Sequence, residues 1–99
     1  MGIKIWLDDV RPMPQEYDLW AKTANEAMME IAKGNTDKIS FDHDLGDFAG
    51  TGYDVAKAIE YWAYWRVIEP VLWEIHSANP VGRKNIELAM KSAERFWNQ

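Results

Sequence analysis

The stretch Glu74-Ile75-His76-Ser77-Ala78-Asn79-Pro80-Val81-Gly82-Arg83 decides the fold. Residues Pro70 to Ile75 form a short apolar run of strand type, and it breaks off into clustered polar groups beside a helix start. Asn79 is a good N-cap, and Pro80 suits the first helical position because its missing N–H has no intrahelical partner there in any case. His76 is therefore expected at the carboxyl end of a strand. A helix that begins at Pro80 leaves the N–H groups of Val81 and Gly82 without intrahelical partners, with the fork-shaped cation of Arg83 one turn in. The segment reads as a phosphate-handling site, in which Ser77, Asn79 and Arg83 contact the anion.

Working outward, strand-like and helix-like stretches alternate. Ile3-Lys4-Ile5-Trp6-Leu7 has a period of two and ends in Asp8-Asp9. Val10-Arg11-Pro12-Met13-Pro14 carries two prolines that forbid a regular helix, so this connection is a loop. Tyr17 to Lys22 suits a short strand. Thr23-Ala24-Asn25-Glu26 is a capping box that opens a helix through Ala27, Met28, Ile31 and Ala32 to Gly34. Lys38 to Asp42 is the next strand, and His43 to Gly50 a loop. Thr51 with Asp54 caps a second helix, which carries Val55, Ile59, Trp62 and Ala63 on one face. The last helix is expected to bury Ile86, Ala89, Met90, Ala93, Phe96 and Trp97.

Strands separated by helices imply an α/β domain with a largely parallel sheet, whose ligands bind beyond the carboxyl ends of the strands. Every polar cluster falls at that edge: Asp8 and Asp9 after the first strand, Asp42, His43 and Asp44 after the middle one, and His76, Ser77 and Asn79 after the last. Three carboxylates in one place repel without a cation, which favours a divalent metal on Asp8, Asp9 and Asp42 or a raised pKa. The same acids also serve as turn caps in many loops. Arg11 suits either a ligand contact or a pairing with a neighbouring loop carboxylate.

Composition narrows the function. With 99 residues, 47% hydrophobic and 13% aromatic, residues 1–99 read as one domain with a real core. There is no cysteine, no long apolar span and no leader pattern, so a cytoplasmic setting away from membranes is expected. A net charge of −5 disfavours a broad nucleic-acid surface, so a nucleotide or RNA end has to be gripped locally.

Asp8-Asp9 after strand one, Asp42 after the middle strand and Ser77-Ala78 after a later one resemble the receiver fold of response regulators, whose acidic pocket binds a divalent metal. Leu7-Asp8-Asp9-Val10-Arg11-Pro12, Phe41-Asp42-His43-Asp44-Leu45-Gly46, Thr51-Gly52-Tyr53-Asp54 and His76 to Arg83 are more narrowly similar to the cyclic-phosphate-processing receiver-like family. The resemblance implies a flavodoxin-like parallel sheet and two histidines, His43 and His76, acting on a cyclic phosphate at an RNA end or on a nucleotide. Against an ordinary receiver, the first helix is degenerate, the sheet is truncated to about four strands, and the fifth strand with its lysine is missing. Asp42 is then better cast as a ligand for Mg²⁺ or another divalent metal than as a phosphoacceptor.

Three functions compete for such a site. A phosphoesterase would use one imidazole as base and the other as acid, with Arg11, Ser77, Asn79 and Arg83 on the phosphate. A binding protein would sequester the nucleotide without turnover, and a vestigial receiver would serve as an interaction module. Topology adds an expectation about assembly. Right-handed crossovers put the helices after strands two, three and four on one side of the sheet. The other side, bearing Lys4, Trp6 and Asp8, is expected to be thinly covered and shielded in a homodimer or by the terminal helix.

Overall fold

The computed structural model describes residues 2–99. Its elements are β1 (Ile3–Leu7), β2 (Leu19–Ala21), α1 (Ala24–Ile31), β3 (Thr36–Phe41), α2 (Gly52–Tyr64), β4 (Leu72–Ile75) and α3 (Pro80–Trp97). The pairings between these four strands are parallel and the strand order is β2-β1-β3-β4. The described residues thus form an α/β receiver-like fold of four strands and three helices, as expected from the sequence. The connection after β1 is irregular, as its prolines require.

Side-chain alternation divides the sheet. Ile5, Leu7, Ile39 and Phe41 are fully buried in one cluster with Ala27 and Ile31 of α1, Val55, Ala56, Ile59 and Ala63 of α2, and Ile86, Met90 and Ala93 of α3. All three helices therefore cover the same face, the one that right-handed crossovers dictate. Phe96 and Trp97 are only half-buried at its margin.

Helix starts are fixed by their caps. Thr51 and Asp54 form a full reciprocal capping box on α2, and the Asn79 side chain accepts from the Gly82 N–H on α3. On α1, Thr23 accepts from the Glu26 N–H, while the Glu26 carboxylate takes the Thr23 hydroxyl in place of the backbone N–H, so that box is half formed.

The second face carries Lys4, Trp6 and Asp8, as alternation predicts, but neither α3 nor a bare surface is found there. The β1–β2 connection crosses it as a strap. Trp6 Nε1–H donates to the Arg11 carbonyl, Tyr17 packs edge-on against Trp6, and the Tyr17 hydroxyl donates to Glu74 on β4 at 2.6 Å. Trp6 is thereby 8% exposed, while Leu72 on β4 remains 70% exposed.

Candidate functional site

The site starts at the ends of β1 and β3. The Asp8 N–H bonds to Ala21 of β2 and the Asp42 N–H to Leu7 of β1, which brings the two strand-end acids side by side. Asp8, Asp9 and Asp42 each offer a carboxylate oxygen, and these oxygens lie within 4.8 Å of one another. Asp8 is fully buried and well partnered. Its Oδ1 accepts from the N–H groups of Val10 and Arg11, both at 2.8 Å, and its Oδ2 meets His76 Nε2 at 2.9 Å. Burial alone would raise its pKa, yet these backbone N–H groups and His76 outweigh burial and hold the carboxyl below its usual range. Asp42 goes the other way. Burial and the neighbouring Asp8 charge push it up, against the His43 N–H, His76 and Arg11, which favour its ionised form.

This donor set suits a hard divalent cation such as Mg²⁺, which takes carboxylate oxygens and keeps several waters. Asp42 is raised chiefly by burial and in lesser part by the Asp8 charge, and a cation between the two acids would favour its ionised form.

His76 is fixed on every side. The ring lies on Trp6, Nε2 faces Asp8, Nδ1 is 2.7 Å from Ser40 Oγ, and its carbonyl accepts from the Arg11 guanidinium. These partners belong to the strap and the second face of the sheet. His43 has different surroundings. Its ring packs on Gly82 so closely that a Cβ there would overlap it, and α3 lies on the helical face. Its Nδ1 is buried without a hydrogen-bond partner among the described residues. The contacts of the two imidazoles come from different elements, Gly82 of α3 for His43 and Trp6, Ser40 and Asp8 for His76.

The stretch from Glu74 to Arg83 is largely bound up in its own turn. Ser77 is buried and its hydroxyl accepts from the Asn79 N–H. Asn79 caps α3 through Oδ1 and donates from Nδ2 to Asp44. Arg83 turns back, donating to the carbonyls of Ile75 and Ser77 at 3.0 and 3.1 Å. These bonds hold β4 and α3 at a fixed angle, and they bring His76 to the acids. Arg83 with Lys84 also lines a shallow cavity of about 250 Å³ beside Ile75, Pro80 and Glu87.

Sequence reasoning passed over Ser40 and the bond by which Trp20 Nε1–H donates to the Asp8 carbonyl at 2.7 Å. The signal for Ser40 was there: a hydroxyl two residues before Asp42 in a strand shares the face of Asp8 and Trp6. Tyr17 and Glu74 were legible only as a short strand and a strand end.

A family model described as the cyclic-phosphate processing receiver domain matches residues 3–92. No curated protein and no solved structure matches the chain.

Proposed function

This chain belongs to the cyclic-phosphate processing receiver domain family, and on that premise we propose that it hydrolyses a cyclic phosphate ester, a cyclic nucleotide or a 2′,3′-cyclic RNA end, in the acidic pocket beside His76. The observation that carries this reading is the contact of His76 Nε2 with Asp8 Oδ2 at 2.9 Å, at the edge where the oxygens of Asp8, Asp9 and Asp42 gather. That geometry joins an acid–base group to an acidic cluster suited to a cation.

Opening the ring requires water oxygen to bond to phosphorus while one ester P–O bond breaks. One proton leaves the water and one reaches the departing ribose oxygen. His76, when it carries protons on both nitrogens, is the group able to give the Nε2 proton to the leaving oxygen, while the water's proton passes to solvent. Asp8 stays ionised and orients the imidazole. Asp8, Asp9 and Asp42 would hold Mg²⁺, which when bound neutralises charge developing on the phosphoryl oxygens. Arg11, beside the same pocket, adds positive charge for the phosphate. Ser77, Asn79 and Arg83 support the site through the turn. His43 is a packing residue for α3 in this reading.

Incubation with 2′,3′-cyclic nucleotides and a cyclic-phosphate RNA end, followed by mass spectrometry, tests the activity. We expect ring opening, with His76→Ala reducing it about 10²–10⁴-fold, the usual worth of a general acid or base, and His43→Ala reducing it far less. Equal loss in both variants would restore a two-histidine mechanism. Binding without turnover would favour the sequestering protein, and no binding the interaction module.

Two further expectations belong to the same reading. The lack of cysteine suits a reducing, cytoplasmic setting, and no described helix is long and apolar enough to cross a membrane. Exposed Leu72 on β4, with exposed Trp65 and Val67 in the connection that precedes it, supports a homodimer, which sedimentation at micromolar concentration would test.

A further inference from the structure

Ser40 is the next-to-last residue of β3 and has no exposed surface, and its hydroxyl has no place in the reaction just described. Polar groups buried this completely are kept bonded, because an unpartnered hydroxyl in an apolar setting is costly. Its partner is His76 Nδ1, at 2.7 Å. The other ring nitrogen faces Asp8 Oδ2.

Donor and acceptor roles follow by elimination. Two backbone N–H bonds at Oδ1 favour the carboxylate form of Asp8, which accepts at Oδ2 as well. The proton on Nε2 must then point at Asp8. A neutral imidazole with its proton on Nε2 has an acceptor at Nδ1, and among the described residues the donor brought to it is the Ser40 hydroxyl. The ring cannot turn over without losing both bonds, and the Trp6 stack holds its plane.

We infer that Ser40 is a positioning residue for the proposed reaction: its hydroxyl donates to His76 Nδ1 and so holds the imidazole in one orientation with Nε2–H turned to the acidic pocket. The role of that nitrogen in turnover rests on the reading of His76 as the acid–base group; the hydrogen bond and the tautomer do not. A hydroxyl suits this position for a second reason. It rotates, so Ser40 accepts from Nδ1–H whenever the ring carries both protons, with no heavy atom displaced. An imidazole that must carry an extra proton during turnover therefore keeps its support in both states.

Nitrogen-15 NMR of the imidazoles in the intact protein, at an alkaline pH where free imidazole is neutral, tests the inference directly. The wild-type His76 signals should show a protonated Nε2 and an unprotonated, hydrogen-bonded Nδ1. In Ser40→Ala the Nδ1 resonance should move to the position of a nitrogen without a donor, and kcat on a 2′,3′-cyclic nucleotide should fall about tenfold or more, as when the outer partner of a site histidine is lost. KM should stay unchanged. Ser40→Thr, which keeps the hydroxyl, should recover both signals. A wild-type His76 with its proton on Nδ1 would overturn the inference, as would a Ser40→Ala protein whose Nδ1 resonance is that of wild type. Should the wild-type protein hydrolyse no cyclic phosphate, the functional reading fails, and the Nδ1 resonance alone still decides the role of Ser40.

Discussion

The imidazole of His76 lies flat on the indole of Trp6, with ring centroids 3.8 Å apart and planes 4° from parallel. Trp6 lies in β1 and His76 directly follows β4, two strands that are not neighbours in the sheet, since β3 runs between them. Ser40 of β3 is paired in register with Trp6 and with Glu74, the residue two before His76. Its small side chain leaves room for two rings to meet above it. The stack thus depends on a small residue at one position of the middle strand, and it carries the candidate acid–base group to the edge of the acidic pocket.

Replacing Trp6 tests how much of the fold depends on that contact. Trp6→Ala should destabilise the protein by about 3–5 kcal/mol, the usual loss for a large buried aromatic. Trp6→Phe keeps a stacked ring and forfeits the hydrogen bond to the Arg11 carbonyl, which costs about 1 kcal/mol. Denaturant unfolding measures both.

The acidic cluster makes a prediction about metal. Titrating Mg²⁺ into the protein should raise its melting temperature, since an ion that binds only the folded state stabilises it by mass action. Asp8→Asn and Asp42→Asn should each remove most of that rise. An unchanged melting temperature in wild type at millimolar Mg²⁺ would count against the cation site.

Asp8 and Asp42 should leave opposite marks on acid stability, measured in chelator. Asp42 holds its proton more tightly folded than unfolded, so its contribution to stability grows as pH falls towards and past the ordinary value near 3.8. Asp8 is held below that value, so its contribution is complete above about 3.8 and is lost as pH falls further. Glu74, lowered by the Tyr17 hydroxyl despite partial burial, acts in the same sense as Asp8, from its ordinary 4.5 downwards. In Asp42→Asn the upper, stabilising step should disappear while the acid-side loss remains.

Gly82 offers a test of what His43 does. Alanine in place of glycine within a helix normally gains up to about 1 kcal/mol. Here the added methyl would overlap the His43 ring, so Gly82→Ala should destabilise. In the double variant with His43→Ala most of that loss should be recovered, because the cycle removes the clash itself. A Gly82→Ala penalty that persists without the imidazole would place the tight contact elsewhere.

Much of this protein was legible in its sequence because the deciding signals are local. Period-two alternation in Ile3–Leu7, caps at Thr51 and Asn79, and prolines after β1 each act within a few residues. Together with the handedness of parallel crossovers they determined the element order, the one-sided helix layer and the gathering of Asp8, Asp9 and Asp42 at one edge. What the tertiary structure alone decided is the direction in which each polar group at that edge is used. Arg83 looks like an anion ligand in sequence, yet after folding it donates to the carbonyls of Ile75 and Ser77. Likewise His43 and His76 both follow strands, but the partners of each ring are far apart in sequence, Gly82 for one and Trp6, Ser40 and Asp8 for the other, contacts that exist only once the chain has packed.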